Sequence, residues 1–289
     1  MSEAAGQQAQ ETRFPAFVRG PAEAVGSLIM SVGGGLTEFG RLCLFLRETV
    51  VRLVRPPYYP DVIMYQMYQV GVKSLIIAVL AGSFVGGIFA IQINDQLLDF
   101  GAQAFLGGIA VSVTVREVGP IMIALLIAGR IGAFTAAELG TMNVTEQIDA
   151  IRCLGTDPIK YLVVPRFLAC IVMSFVLTVV GIVIGIFGSV LVAWAIADVH
   201  PLFFSGRILD MVTAFDFING LWKSFFFGIL IATVCCFYGF NTRGGAEDVG
   251  RNVNTTVVVT GISLLATDYF LAVLSQWFMQ TLIAFGLMN

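Results

Sequence analysis

The chain has 289 residues, of which 57% are hydrophobic and 12% charged, and its formal net charge is −3. Ordinary soluble domains carry about twice that share of charged residues, so the composition excludes that class and predicts a multi-pass membrane protein. No basic cluster is interleaved with aromatic residues, which argues against a nucleic-acid partner. The five cysteines lack metal-ligand spacing, and we interpret them as small buried thiols.

The first predicted unit is a polar segment, residues 1–35, which lacks the apolar stretch of a signal peptide. From Leu36 to Arg55, apolar residues recur at helical spacing and arginines occupy the opposite side. This pattern predicts an interfacial helix, with its apolar face among acyl chains and its arginines near anionic headgroups. A proline-rich turn ends the helix, so residues 36–60 form the second predicted unit.

Five apolar segments are each long enough to cross a bilayer, which needs about 20 apolar residues. They cover residues 71–93, 104–139, 166–197, 221–240 and 257–287. Polar loops are predicted between them at 94–103, 198–220 and 241–256. The second segment is too long for one untilted span, and Arg116, Glu117 and the Gly119–Pro120 pair interrupt it.

Small residues form a stripe along the first predicted span. Ala78, Gly82, Gly86 and Ala90 recur at every fourth position. Such a stripe lets another helix approach closely. The approaching helix belongs either to the same subunit or to a second copy across a dimer seam.

A short amphipathic helix is predicted over residues 143–155, in the longest polar interruption between spans. Its apolar stripe consists of Val144, Ile148, Ile151 and Leu154. Asn143 and Glu146 are predicted to form an N-cap pair, and Gly155 stops the helix. About eleven residues give a rod near 16 Å, roughly half the thickness of a hydrocarbon core, so the helix cannot span. We expect it to lie on one membrane face, where another protein could hold it.

Loop charges predict the orientation. Arginines and lysines concentrate in the N-terminal region, around the amphipathic helix and in the 241–256 loop, whereas the intervening loops carry mainly acids. By the positive-inside rule, the N-terminus and the amphipathic helix are cytoplasmic, and five spans place the C-terminus outside.

Charged residues inside the spans are the candidates for binding chemistry. A charge at mid-bilayer costs about 2.5–3.5 kcal/mol on insertion scales, so it is paired or faces a water-filled cavity. Arg116 could bind a phosphate and Glu117 a neighbouring cation, or each forms a structural ion pair with another helix. Asp268 is either a proton or ion site or an interhelical hydrogen-bond partner. The single histidine, His200, offers neither a metal cluster nor a catalytic triad.

The segment Arg116–Arg166 closely resembles the signature of the MlaE (YrbE) permease family, the membrane subunits of MCE-type ABC lipid transporters. Its sequence is REVGPIMIALLIAGRIGAFTAAELGTMNVTEQIDAIRCLGTDPIKYLVVPR. The similarity covers most of the chain from about Gln66 and includes GGAEDVGRNVNTTVV at Gly244–Val258. The resemblance implies that residues 61–289 form a permease domain.

The resemblance also implies an architecture and a set of partners. The fold would be an all-α integral membrane protein, with an N-terminal interfacial helix, five spans and a short cytoplasmic coupling helix. Two such permeases would form a homodimer in the bacterial inner membrane and move phospholipid. Cytoplasmic ABC ATPase subunits would bind ATP and Mg²⁺, a ring of MCE proteins would sit on the periplasmic side, and a small STAS-type accessory protein would be a further partner.

Site residues follow from the same resemblance. The family's coupling helix, which docks in a groove of the ATPase, aligns with Glu146, Gln147, Ile148, Asp149, Ala150 and Ile151. Arg116 and Glu117 match positions at the lipid-binding cavity between the two subunits, and Phe89 and Phe100 would line that cavity. We expect no catalytic residue, metal or cofactor in this chain, since it lacks the glycine-rich loop and lysine that bind nucleotide phosphates.

Two other function classes are alternatives. An ion-coupled secondary transporter would use Arg116, Glu117 and Asp268, and a broken helix near mid-membrane fits that class. The chain shows no internal repeat between its halves, however. A membrane-embedded lipid enzyme would need a histidine- or aspartate-rich site, which the sequence lacks. An ATPase gene beside this one would separate the first hypothesis from both alternatives.

Overall fold

The computed structural model describes residues 16–284, with side chains described at 33–281 and at 284. Within that range all regular elements are helical, which confirms the predicted all-α membrane fold. Five helical stretches are long and apolar enough to cross a membrane, in agreement with the predicted number of spans. They are Pro60–Asp99, Gln103–Val144, Ile159–Ala195, Ala214–Phe240 and Ala246–Thr281.

Ten α-helices make up these stretches and their connections. They are α1 (Ala16–Leu53), α2 (Pro60–Val70), α3 (Leu75–Asp99), α4 (Leu106–Val113), α5 (Gly119–Val144), α6 (Gln147–Cys153), α7 (Val164–Ala195), α8 (Pro201–Met211), α9 (Ala214–Phe240) and α10 (Ala246–Ala284). Short 3₁₀ turns lie at Val72–Ser74 and Gln103–Phe105, and π-helical turns at Thr114–Val118 and Ile159–Val163.

The chain divides into two compact units, residues 1–47 and 48–289. In the first unit, α1 begins at Ala16, well before the predicted start at Leu36. Leu36 and Phe39 are exposed on it, as an apolar face meant for lipid requires. The rest of the predicted polar segment, residues 1–15, lies outside the described residues, as does the tail at 285–289. The predicted domain limits stay predictions.

The second unit contains the five spans, and glycines set the spacing of two of them, α3 and α7. A Cβ added to Gly82 would overlap the carbonyl oxygen of Gly181, and one added to Gly86 would overlap that of Gly185. The Ser189 hydroxyl on α7 donates a hydrogen bond to the Gly86 carbonyl at 2.9 Å. The small-residue stripe therefore packs within the subunit, which confirms the first of its two interpretations.

Two predicted loops are mostly helical. Within the predicted loop 198–220, α8 occupies Pro201–Met211 and α9 already begins at Ala214; within 241–256, α10 begins at Ala246. Capping explains the first case, because His200 Nδ1 accepts a hydrogen bond from the Leu202 N–H at the start of α8. The prediction of loops was wrong here since polar residues at helix starts were interpreted as irregular structure.

The cysteines only partly match the prediction of buried thiols. Cys170, Cys235 and Cys236 are buried among the spans, whereas Cys43 and Cys153 are exposed. Cys153 is the last residue of α6, which lies on the surface of the second unit. Among the residues that the structure describes, no three His, Cys, Asp or Glu side chains are placed to hold a metal ion.

Candidate functional site

Five charged residues of the spans form two adjacent ion-paired groups between the start of α5, α9 and α10. Arg116 forms an ion pair with Asp216, and Glu117 forms one with Lys223. The Lys223 ammonium also lies 3.1 Å from the Asp268 carboxylate. We call these five residues the charge network. It contains two cations and three carboxylates.

A π-helical turn positions the first two members. Arg116 and Glu117 lie in the turn Thr114–Val118, directly before α5. Pro120 follows in the first turn of α5 and lacks the backbone N–H that a regular helix would use. Single π-helical turns inside longer helices often occur at functional sites. The two adjacent side chains here pair with different residues of α9.

The α9 members lie on one face of their helix. Asp216 and Lys223 are seven residues apart, which is close to two helical turns. Asp216 also accepts hydrogen bonds from the Thr213 backbone N–H at 2.8 Å and from the Thr213 hydroxyl at 3.0 Å, and these bonds fix the start of α9. The Asp216 carboxylate therefore caps α9 and also pairs with Arg116.

Exposure differs sharply across the charge network. The side chains of Asp216 and Lys223 are 1% and 0% exposed, and that of Asp268 is 19% exposed. Arg116 and Glu117 are 44% and 42% exposed. Asp216 and Lys223 are therefore buried, whereas Arg116 and Glu117 remain partly exposed. Arg116 and Glu117 form the interhelical ion pairs that the sequence left open as an alternative, yet both still face free space.

Sequence reasoning did not identify Asp216 or Lys223 as members of a site. Asp216 was assigned to the predicted loop 198–220, and Lys223 to the edge of a span. The Thr213–Asp216 pair has the spacing of a capping box. Had it been used to start α9, Lys223 would have fallen about 14 Å into the helix, where a cation needs a partner.

An apolar groove of about 370 Å³ lies between α9 and α10. Four aromatic side chains contribute to its wall: Phe215, Trp222, Trp277 and Phe278. Trp222 directly precedes Lys223, and the lining residue Leu271 follows Asp268 by one helical turn. Sequence neighbours of Lys223 and Asp268 therefore line the groove, although neither charged residue does.

The two phenylalanines predicted to line a lipid cavity lie on or next to α3. Phe89 is half-buried within the helix, and Phe100, directly after it, is 83% exposed. Neither belongs to the charge network nor lines the groove between α9 and α10. Their role in lipid binding stays a prediction.

The predicted amphipathic helix exists as α6, but it is shorter than the predicted 143–155. Asn143 belongs to the last turn of α5, and its amide donates to the carbonyls of Phe240 and Thr242, at 3.2 and 2.6 Å. Glu146 precedes α6 with a left-handed φ of 60°. The predicted Asn143–Glu146 cap pair is therefore wrong, because α5 continues through Asn143 and the chain reverses at Glu146.

The apolar stripe of α6 is only partly buried. Ile148 is 1% exposed and Ile151 is half-buried, whereas Leu154, beyond the helix, is 82% exposed. Glu146, Gln147 and Asp149 are all exposed. A polar cavity of about 430 Å³ separates α6 from the loop after α9. Ile148 is thus the most deeply buried side chain of α6, and the helix presents a polar surface outward.

Side-chain contacts hold the segment after α6 in place. The Arg52 guanidinium lies 2.5 Å from the Asp157 carboxylate and 2.5 Å from that of Glu48. Burial lowers the pKa of Arg52, but hydrogen bonds to Asp157 and Glu48 outweigh that effect, and the pKa is raised. The Lys160 ammonium donates to the Pro56 carbonyl at 2.5 Å. These contacts therefore hold the chain directly after α6.

Known proteins match the chain over most of its length. A family model described as "Permease MlaE" matches residues 63–274. A probable ABC transporter permease protein of Synechocystis sp. is 38% identical over 207 residues, which are 72% of this chain and 79% of that protein. One of Rickettsia felis is 35% identical over 245 residues, 83% of this chain and 95% of that protein. The Arabidopsis thaliana protein named TRIGALACTOSYLDIACYLGLYCEROL 1, chloroplastic, is 32% identical over 234 residues, 81% of this chain and 66% of that protein.

Proposed function

Since the chain belongs to the MlaE permease family and is a permease subunit, we propose that it forms the membrane part of an ATP-driven transporter that moves a lipid. A phospholipid is the simplest choice. The single observation that supports a lipid is the apolar groove between α9 and α10, the two helices that supply Asp216, Lys223 and Asp268 to the charge network. Acyl chains match the groove, and a headgroup phosphate matches the half-exposed Arg116. The name of the Arabidopsis thaliana relative, which contains that of a galactolipid, points in the same direction.

The motor would be a separate ABC ATPase that holds ATP and Mg²⁺. In support, the relatives are named as ABC transporter permeases, and α6 offers an exposed, polar surface. Glu146, Gln147 and Asp149 would contact the ATPase. Ile148 would keep α6 attached to the spans, so that a displacement of the ATPase moves α5. The chain itself would catalyse no covalent step.

The remaining partners and the orientation are parts of the same proposal. The permease would work as a homodimer in the bacterial inner membrane, with the N-terminus and α6 in the cytoplasm and the C-terminus in the periplasm. The distribution of basic residues supports that orientation. A periplasmic MCE protein would exchange lipid with it, and a STAS-type protein would bind on the ATPase side.

The ion-coupled alternative finds less support in the geometry. Such a transporter would need Glu117 or Asp268 free to take up a proton or an ion. Both carboxylates instead face the buried Lys223 ammonium. A resident cation already occupies the position that a transported cation would take.

Reversing the charge of α6 is expected to release the ATPase. The double variant Glu146→Lys and Asp149→Lys replaces two exposed acids by lysines. An ATPase surface that is complementary to the acids would repel these lysines at a cost of several kcal/mol. The affinity of the permease for its ATPase should fall by at least about a hundredfold, which corresponds to ~2.7 kcal/mol. Co-purification of the ATPase with the tagged permease measures the loss.

The matched control is Asp210→Lys, which reverses an exposed acid on α8, a helix that is not part of this surface. It should retain the ATPase. If the double variant retains the ATPase as well, α6 is not the coupling helix.

Removing Arg116, the partly exposed cation of the charge network, is expected to weaken lipid binding. Arg116→Ala deletes the guanidinium that would meet a phosphate, so phospholipid that co-purifies with the complex should fall several-fold while the ATPase stays bound. Arg251→Ala removes a cation that is 76% exposed and lies at the start of α10, and it should leave lipid content unchanged. Unchanged lipid in Arg116→Ala would assign Arg116 to structure alone. Lipid analysis by mass spectrometry provides the measurement.

A further inference from the structure

A second set of basic residues lies apart from the charge network, where α3 begins. Lys73 and Arg130 line a cavity of about 280 Å³ together with Gln69, Val70 and two further side chains, Ile131 and Phe134. One water molecule takes up about 30 Å³ of liquid, so this volume has room for a hydrated phosphate group. Arg130 lies about 20 Å along the chain's helical path from Arg116. The cavity is therefore separate from the groove between α9 and α10.

No acid among the described residues neutralises the charges of Lys73 and Arg130. Among the described residues, neither Lys73 nor Arg130 forms an ion pair, whereas Arg116, Arg166 and Lys223 each face a carboxylate. The Lys73 ammonium lies over the Tyr68 ring, 5.8 Å from its centroid. Cations at membrane depth are normally paired. An anionic ligand would supply the missing charge.

Arg130 is held in place but retains donors for a ligand. One terminal nitrogen of its guanidinium donates to the Ser74 hydroxyl at 2.6 Å. A guanidinium has five N–H groups, so the others remain available to oxygen atoms in a fork arrangement. Lys73 is exposed and adds a mobile ammonium with three donors. Together they match the oxygen atoms of a phosphate.

The cavity lies beside an exposed apolar surface. Lys73 comes just before α3, inside the spanning stretch Pro60–Asp99. Because Ser74 accepts a hydrogen bond from Arg130, the twelfth of the 26 residues of α5, the cavity lies about 20 Å from the end of α5 next to α6. Apolar Val72, Leu75 and Ile76 are exposed beside it, where acyl chains would run.

We propose that Lys73 and Arg130 bind the phosphate of a membrane phospholipid. Phosphate chemistry is shared by phospholipids and free inorganic phosphate, and the exposed apolar start of α3 favours the lipid. No step of this inference uses the transport proposal. The site would exist even if the protein moved another substrate, and failure of the α6 test would leave it standing.

The test measures ligand affinity of the purified full-length chain in detergent by native mass spectrometry. The probes are a short-chain phosphatidylglycerol, inorganic phosphate, and a diacylglycerol that lacks phosphate. Lys73→Gln and Arg130→Gln should each weaken phosphatidylglycerol binding about tenfold and leave diacylglycerol binding unchanged. Arg207→Gln, on α8, removes a cation outside the cavity and should change neither. Arg130→Lys keeps the charge but not the fork and should give an intermediate loss.

Three results would overturn the proposal. One is unchanged phosphatidylglycerol affinity in Lys73→Gln, which alters an exposed side chain and should fold normally. Another is an equal loss of diacylglycerol, because apolar contacts rather than phosphate would then be affected. The third is binding of inorganic phosphate as tight as that of the lipid, which would assign the cavity to a free anion.

Discussion

Replacing Lys223 by methionine is expected to destabilise the protein by about 3–5 kcal/mol and to stop transport. The Lys223 side chain is fully buried and faces Glu117 and Asp268 together. Removing the ammonium leaves two carboxylates close to each other, with no cation between them. Breaking a buried ion pair from one side is costly because the remaining charge has lost its partner. Thermal unfolding of the purified permease in detergent measures the effect.

Rescue variants make the charge explanation testable. Adding Glu117→Gln and Asp268→Asn to Lys223→Met neutralises both carboxylates, and most of the lost stability should return, because replacing all members of an ion pair is often nearly neutral. Lys73→Met is the matched control, since it removes an exposed lysine, and its effect should stay within about 0.5 kcal/mol. If Lys223→Met and the triple variant are equally unstable, lost packing rather than unpaired charge is responsible.

Changing Gly86 to alanine is expected to destabilise the protein by about 1–3 kcal/mol or more. The new methyl group would overlap the carbonyl oxygen of Gly185, a backbone atom that cannot rotate away. Relief would require α3 and α7 to move apart, and that movement would lengthen the 2.9 Å hydrogen bond from Ser189 to the Gly86 carbonyl. Loss of thermal stability and of yield after extraction into detergent are the measurements.

Gly129 provides the matched control for Gly86. It also lies inside a span, on α5, but a Cβ added there would meet no atom within 4 Å. Gly129→Ala should therefore be neutral or should stabilise the helix by up to about 1 kcal/mol, the difference in helix propensity. Equal destabilisation by both variants would mean that close packing of α3 and α7 does not set the requirement for Gly86.

Local sequence patterns predicted part of the candidate site and missed the rest. Arg116, Glu117 and Asp268 could be identified because a charge in an apolar segment is visible in the sequence alone. The capping pair Thr213–Asp216 would have placed Lys223 inside α9, but the partners of Asp216 and Lys223 could not be predicted, because they depend on which helix faces α5. The sequence likewise located α6, but it could not tell that Asn143 bonds to the carbonyl groups after α9 rather than capping α6.

The sequence by itself determined the number of spans and the helical class, because bilayer thickness and backbone hydrogen bonding fix the length and conformation of any apolar segment. It also determined that Gly82 and Gly86 share one face, since helical spacing is a local property. Only the tertiary structure decided that this face meets α7, that Lys223 neutralises two carboxylates, and that Lys73 and Arg130 share one cavity without an acid. These pairings join residues far apart in the chain, and their geometry depends on how the helices pack rather than on any local pattern.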